Sequence, residues 1–332
     1  MNLMAWQGSI ELGIIYGFMA LGIFVSFRIL NIPDLTVDGS FTLGASCSAI
    51  ITLAGQPFLG LLAGALAGAI AGLITAFLQT KMKIQPILAG ILTMTGLYSI
   101  NLRIMQKRGN VSLLNIPTVF DPMKQIFGNY AKLLFPLLLI AVVILGMTLF
   151  FKTQLGLSIR ATGDNEDMVR SSSINADFTK TVGLSLGNAI VGLSGALIAQ
   201  YQQFSDINMG IGMVVIAMAS LIIGEVLLFL GRSLQWHIIS VVIGSIFYRL
   251  IIMFVLNFNP ADRLSSYLAN AAEGSFSHHL LSFIIRYGEV STSDLKLISS
   301  IIVGLALSYP VIKDRMEIRK LRKAGEQNAA TH

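Results

Sequence analysis

Charge is what this chain has least of. Only 12% of its 332 residues are Asp, Glu, Lys or Arg, about half the share of an ordinary soluble domain. A soluble globule of this composition would have too little polar surface to stay dissolved. Cysteine is represented by Cys47 alone, inside an apolar stretch, so neither an intrachain disulfide nor a cysteine-based metal site is available. A Gly-x-x-x-x-Gly-Lys-Ser/Thr phosphate loop is missing, which assigns any ATP hydrolysis to another polypeptide. His-Glu-x-x-His and the Ser/His or paired-Asp sets of an intramembrane enzyme are missing as well. His278 and His279 are neighbours and would point about 100° apart on a helix, a poor arrangement for one metal. With a mean hydropathy of +0.74, disorder and nucleic-acid binding are excluded despite a pI near 9.5 and a net charge of +6.

What the chain does have is apolar runs, in which 54% apolar residues are concentrated. Segments at 9–27, 38–54, 58–80, 86–105, 132–151, 181–200, 211–230, 236–256 and 294–312 approach or reach the 17 to 25 residues, about one hydrocarbon thickness, that a spanning helix needs. Backbone polar groups in lipid must be satisfied within the segment, so these read as helices. The expected fold is all-α: a polytopic membrane helical bundle with eight or nine transmembrane helices, forming a single domain over 1–332. Sorted by alternate passes, fourteen basic residues fall on one side, including Arg28, Lys81, Lys83, Lys152, Arg160, Arg170, Lys180, Arg232 and the 313–332 tail. Seven fall on the other, among them Arg103, Lys107, Arg108, Lys124 and Lys132. The positive-inside bias therefore places the 152–180 loop and the basic tail in the cytoplasm and the N-terminus outside. Multi-pass residence in a membrane follows.

Several features depart from a generic bundle. Gly60, Gly64, Gly68 and Gly72 align on one helix face and predict a close helix–helix contact, with Gly183, Gly187 and Gly195 predicting a second. Residues 28–42 place Asn31, Pro33, Asp34, Asp38, Gly39 and Thr42 between two apolar runs, with hardly any room for a solvated loop. A carboxylate at membrane depth costs about 2.5–3.5 kcal/mol on insertion scales. Asp34 and Asp38 thus read either as helix N-caps or as lining of a path through a broken helix. Glu225 and Arg249 sit on consecutive apolar runs and would neutralise each other. Asn188 and Gln200, with Tyr201, Gln202 and Gln203, add hydrogen-bonding groups that suit a polar path.

The loop 152–180 carries the clearest local signal. Asp164 can cap a short helix with Glu166 and Asp167 in its first turn, and Met168 and Val169 give that helix an apolar knob. Such an element suits docking to a partner.

The order Gly-Leu-Ser-Ile-Arg-Ala-Thr-Gly-Asp-Asn (156–165), Ile-Asn-Ala-Asp (174–177) and Gly-Leu-Ser-Gly-Ala-Leu (192–197) resembles permease subunits of bacterial ABC importers, in the branched-chain amino acid and ribose branch. Residues 31–45, Asn-Ile-Pro-Asp-Leu-Thr-Val-Asp-Gly-Ser-Phe-Thr-Leu-Gly-Ala, are similar more narrowly to tryptophan or aromatic amino acid permeases. The resemblance implies that Arg160, Gly163, Asp164, Asn165, Glu166, Asp167, Met168 and Arg170 form the coupling element received by a cytoplasmic ATPase. It further implies two permease copies, two ATPases holding ATP and Mg, and an extracytoplasmic substrate-binding protein; this chain itself would bind no cofactor and no nucleic acid. Asn31, Asp34, Asp38, Thr42, Asn188, Gln200 and Glu225 are the candidate translocation path.

Two departures from the resemblance matter. Ser173 stands where relatives commonly have glycine, and residues 257–293 are long where a short turn is usual. That insertion is expected to form an amphipathic, external or re-entrant element. A stand-alone ion-coupled transporter is the alternative reading, with Asp34, Asp38 and Glu225 as its coupling carboxylates.

Overall fold

The computed structural model describes residues 3–227, 233–257 and 304. The chain divides into a compact unit, Met1–Phe254, and a second, Val255–His332; everything below concerns the first. The 257–293 insertion, the run at 294–312, the basic tail, Arg232, His278 and His279 lie outside the described residues.

Within the first unit the apolar runs are helices, as their composition demands. They are α1 (Leu3–Ile23), continued by a π-helical turn (Phe24–Ile29), α2 (Thr36–Leu53), α3 (Pro57–Thr80), α4 (Pro86–Ile104), α5 (Phe120–Phe127) and α6 (Ala131–Phe150). After them come α7 (Gln154–Asp164), α8 (Glu166–Ser171), α9 (Ala176–Gln202), α10 (Met213–Leu227) and α11 (Leu234–Asn257). Among the described residues, six stretches are long and apolar enough to cross a membrane: Ala5–Ile29, Pro57–Thr80, Pro86–Ile104, Phe120–Phe150, Ala176–Gln202 and Leu234–Phe254. Proline opens both α3 and α4, where its missing N–H is not needed. One feature is not helical: β1 (Asn110–Ser112) and β2 (Phe204–Asp206) pair antiparallel with Val111 opposite Ser205, over a cluster of Ala49, Met105, Leu113 and Ile207. This ribbon marks one end of the bundle. Helices α7 and α8 mark the other.

The bundle is apolar outside, and its mostly apolar core also buries a set of polar side chains. On α3, Leu62 and Leu66 are more than 60% exposed, whereas Gly60, Gly64, Gly68 and Gly72 on the opposite face are buried. Only lipid makes such an apolar shell stable, and lipid gives helices no hydrophobic reason to associate, so close packing and hydrogen bonds must hold them. The glycines supply the packing. A Cβ on Gly68 would stand 2.2 Å from the Asn188 carbonyl oxygen, and one on Gly72 would stand 2.4 Å from that of Leu184, both on α9. From α9, Gly187 meets the Gly22 backbone and Gly195 that of Phe41, so the second glycine set also makes close contacts. Hydroxyls supply the bonds: Thr36, Thr75 and Thr93 link α2, α3 and α4 through contacts of 2.7 and 3.0 Å.

Candidate functional site

The break between α1 and α2 is the structural centre. At the end of α1 the ladder loosens into a π-helical turn, a departure often found at functional sites. The chain then turns at Asn31, whose φ of 54° is left-handed. It runs extended through Pro33 and Asp34 and starts α2 inside the bundle. The level is set by α9: Asp34 Oδ2 accepts from Asn188 Nδ2 at 2.7 Å, and Asn188 lies about 18 Å along α9 from its start.

Asp34, 6% exposed, also accepts the Thr36 N–H at 2.9 Å, so it serves the first turn of α2 from the residue before the N-cap, Leu35. Ser40 Oγ donates to Asn188 Oδ1 at 2.6 Å. Asn188 is thus the hub between the broken segment and α9. Its amide uses both donor and acceptor.

Asp38 does not cap its own helix. Its two oxygens accept from the Gly212 and Val214 N–H groups at 2.8 Å each, placing a carboxylate on the N-terminus of α10. Gly210 allows this approach, because a Cβ there would lie 2.0 Å from the Asp38 carbonyl oxygen. Thr42 Oγ1 donates to that same carbonyl oxygen at 3.1 Å. The N-terminus of α10 is thus stoppered by Asp38, a residue of another helix.

At its other end Glu225 meets Arg28 of the π-helical turn, Oε1 to Nε 2.8 Å, and not Arg249 as the sequence suggested. The reason is register. Gly224 packs on Ser240 and Gly244 on Ser220, so α10 and α11 run antiparallel with Glu225 level with residue 239, about 15 Å short of Arg249. Arg249 lies over the Tyr16 ring instead, 4.0 Å from its centre.

Gln200 is no free path group. Its Nε2 donates to Ser48 Oγ at 2.9 Å and to the Pro57 carbonyl at 2.8 Å, while its Oε1 accepts from the Val119 N–H at 2.9 Å. It staples α9 to α2 and α3 near the ribbon end. The structure therefore joins Asp34 to Asn188 and Asp38 to Thr42 as two separate pairs around the start of α2, and leaves Gln200 and Glu225 apart from them. Asn31 is exposed at the break. Sequence reading missed Glu11, 4% exposed, whose oxygens accept from Gln7 Nε2 and Tyr201 Oη at 2.8 Å each. A lone acid inside an apolar run was the available signal.

The loop after α6 is more structured than a connector. Thr153 caps α7, which runs through Asp164; Asn165 then caps α8, its Oδ1 accepting from the Met168 N–H at 3.0 Å. The cap is one residue later than the sequence suggested, because Asp164 is still helical while Asn165 is extended. Met168 is 58% exposed, but Val169 is buried, so the apolar knob is Met168 alone. Glu166 receives Lys180 Nζ at 2.5 Å and Arg170 Nη2 at 2.8 Å, and Arg170 also reaches Asp177 at 2.6 Å. These partners, Lys180 first, hold the Glu166 carboxyl below its ordinary 4.5. Asp167 is exposed beside them. Gly163 packs directly on the Ile29 carbonyl of the π-helical turn, where no Cβ would fit. Arg160 and Asp164 line a cavity of about 400 Å³ together with Arg28, Phe24 and His237. Ser173 adopts a left-handed φ of 61°, the conformation for which glycine is suited.

An apolar shell around helices that bury polar side chains, with one helix broken in the interior and the N-terminus of α10 capped from beyond that break, defines a multi-pass membrane bundle. Comparison with known proteins gives it a family. Residues 7–271 match the family described as branched-chain amino acid transport system / permease component, and the chain belongs to that family. It is 38% identical over 245 residues to the tyrosine transport system permease protein of Clostridioides difficile, covering 74% of this chain and 80% of the relative. An uncharacterized protein of Rickettsia prowazekii is 36% identical over 244 residues, covering 72% of this chain and 84% of that one. The nucleoside ABC transporter permease protein NupC of Lactococcus lactis is 28% identical over 244 residues, covering 66% and 72%. No solved structure matches. The chain is a permease component, resident in the cell membrane as a multi-pass protein.

Proposed function

We propose that this chain is the membrane-spanning subunit of an ATP-driven importer for an aromatic amino acid. Two copies would work with two cytoplasmic ATPases, which hold ATP and Mg, and with an extracytoplasmic substrate-binding protein. The observation that carries the reading is α8: a short helix, capped by Asn165 and braced by Glu166, Lys180, Arg170 and Asp177, that nevertheless presents Met168 outward. A braced knob transmits force where a floppy connector would absorb it. The likeness to a tyrosine transport system permease supports the aromatic substrate.

In this mechanism the ATPase moves α8 and, with it, α7. Gly163 bears on the Ile29 carbonyl, so the displacement reaches the π-helical turn, the Arg28–Glu225 pair and then the broken segment at Asp34. Helix α10 is tied to that segment twice, through Glu225 and through Asp38. It shifts with it and exchanges one opening of the path for the other.

The test is reconstitution of the full chain with its ATPase and binding protein. Asp164→Lys combined with Glu166→Lys is expected to lower ATP-dependent tyrosine uptake at least tenfold, about 1.4 kcal/mol of coupling, while membrane insertion is retained. Full uptake by the double variant would count against the docking role. Uptake driven by an ion gradient in the chain without any ATPase would overturn the importer reading in favour of an ion-coupled transporter.

A further inference from the structure

Beside the Asp38 cap lies a cavity of about 250 Å³ that none of the contacts above uses. It opens between α2, α4 and the descending segment 207–211. Its wall is largely apolar: Met94 and Tyr98 from α4, and Ile207 and Ile211 from the opposite side. Two oxygens at its polar edge stand out. Asn101 is 1% exposed; its Nδ2 donates to the Gly39 carbonyl at 3.4 Å, and its Oδ1 accepts no hydrogen bond among the described residues. A buried acceptor left unpaired is a standing demand for a donor. Asp38, next to Gly39, uses one lone pair on each oxygen for α10 and has others to offer.

Among the described residues, no Lys, Arg or His lines this cavity. Its chemistry is therefore one-sided: acceptors and negative charge at one edge, an aromatic ring, a thioether and branched aliphatics elsewhere. A carboxylate would be repelled there and an ammonium group attracted. The volume is below the usual range of drug-sized sites and suits a single ring with a short amine-bearing arm. Tyr98 and Met94 offer the edge and sulfur contacts that a ring prefers over an aliphatic chain.

The geometry points to this cavity as a subsite for the ammonium group and ring of the transported amino acid, with the amine on Asn101 Oδ1 and Asp38 and the substrate carboxylate directed outward. This assignment rests on the importer reading above and deepens it. Occupation would couple to α10, because the same carboxylate that receives the amine caps that helix.

The experiment uses the full chain with Cys47→Ala and Thr95→Cys, so that the only thiol is at the cavity wall. Thr95 is exposed, and its hydroxyl bonds only back to the Ile91 carbonyl, so the exchange is mild. In lipid nanodiscs the rate of maleimide labelling is measured with L-tyrosine, with tyramine, which keeps ring and amine, and with 3-(4-hydroxyphenyl)propionate, which keeps ring and carboxylate. A severalfold slowing by the first two and none by the third is expected. Equal protection by the propionate, or protection by none, overturns the assignment. Asn101→Leu and, as a milder surface change, Tyr98→Ala should each abolish or weaken the protection; unchanged protection in both overturns it too. Tyrosine uptake by the wild-type assembly is measured alongside. Uptake without protection leaves the importer standing and removes the cavity; no amino acid uptake at all removes both.

Discussion

Asn188 joins groups that the sequence keeps far apart: Asp34 lies 154 residues before it and Ser40 lies 148. With Thr36, these side chains satisfy a buried carboxylate without any cation, which works only while every hydrogen bond is present. Asn188→Leu is therefore expected to destabilise the purified chain by about 2–3 kcal/mol, the cost of leaving a buried charged acceptor and a hydroxyl without partners. Asp34→Asn, which keeps the shape and sheds the charge, should cost less. Thermal unfolding in detergent orders the two, and equal losses would contradict the hub role. Each of these residue types was visible in the sequence as a polar intruder in an apolar run. Their pairing was not, since a one-dimensional reading carries no information on which depth of α9 faces the break. The same limit explains Glu225: opposite charges on consecutive runs looked like partners until register set them about 15 Å apart along the helix axis.

At the scale of elements, two kinds of glycine separate. Gly72 faces α9 with its missing Cβ 2.4 Å from a carbonyl oxygen, whereas nothing lies within 4 Å of the corresponding position on Gly96. Gly72→Ala should force α3 off α9 and cost about 1–3 kcal/mol. Gly96→Ala should stabilise by about 0.5–1 kcal/mol through helix propensity alone. A shared direction of change in melting temperature would refute the distinction. The fourfold glycine spacing made the first kind legible, because the period alone fixes the face.

Helix α8 responds to pH instead. Its Glu166 carboxyl is held below the ordinary 4.5 by Lys180 and Arg170. The contribution is thus complete above that value and is lost as pH falls below it, through the folded-state value. Protection factors for hydrogen exchange across 166–180, corrected for the intrinsic pH dependence of exchange, should be high at pH 7 and fall below pH 4.5, with Glu166→Gln low at both; protection indifferent to pH in the wild type would contradict the brace.

For the whole molecule, the open matter is which end faces the cytoplasm. Among the described residues, Arg28, Lys81, Lys83, Lys152, Arg160, Arg170 and Lys180 gather at the α7–α8 end, seven basic residues against five at the ribbon end. The stronger bias comes from the tail, outside the described residues. In a Cys47→Ala background, an impermeant maleimide applied to intact cells should label Leu114→Cys near the ribbon and spare Ser172→Cys after α8. The reverse pattern would turn the bundle over and detach α8 from any cytoplasmic motor. The sequence by itself determined that this is a membrane bundle and where its long helices lie, because apolar run length answers directly to the thickness of lipid; it did not fix their ends, since α1 and α9 begin six and five residues before the runs at 9–27 and 181–200. It also marked the break at 30–35 and the elbow at 152–180, through local polarity and turn chemistry. Tertiary structure alone decided that Asp38 caps α10 rather than its own helix, that Arg28 and not Arg249 meets Glu225, and that Asn101 is left with an unpaired acceptor. Those outcomes depend on helix depth and register, which are set by the glycine contacts between distant segments.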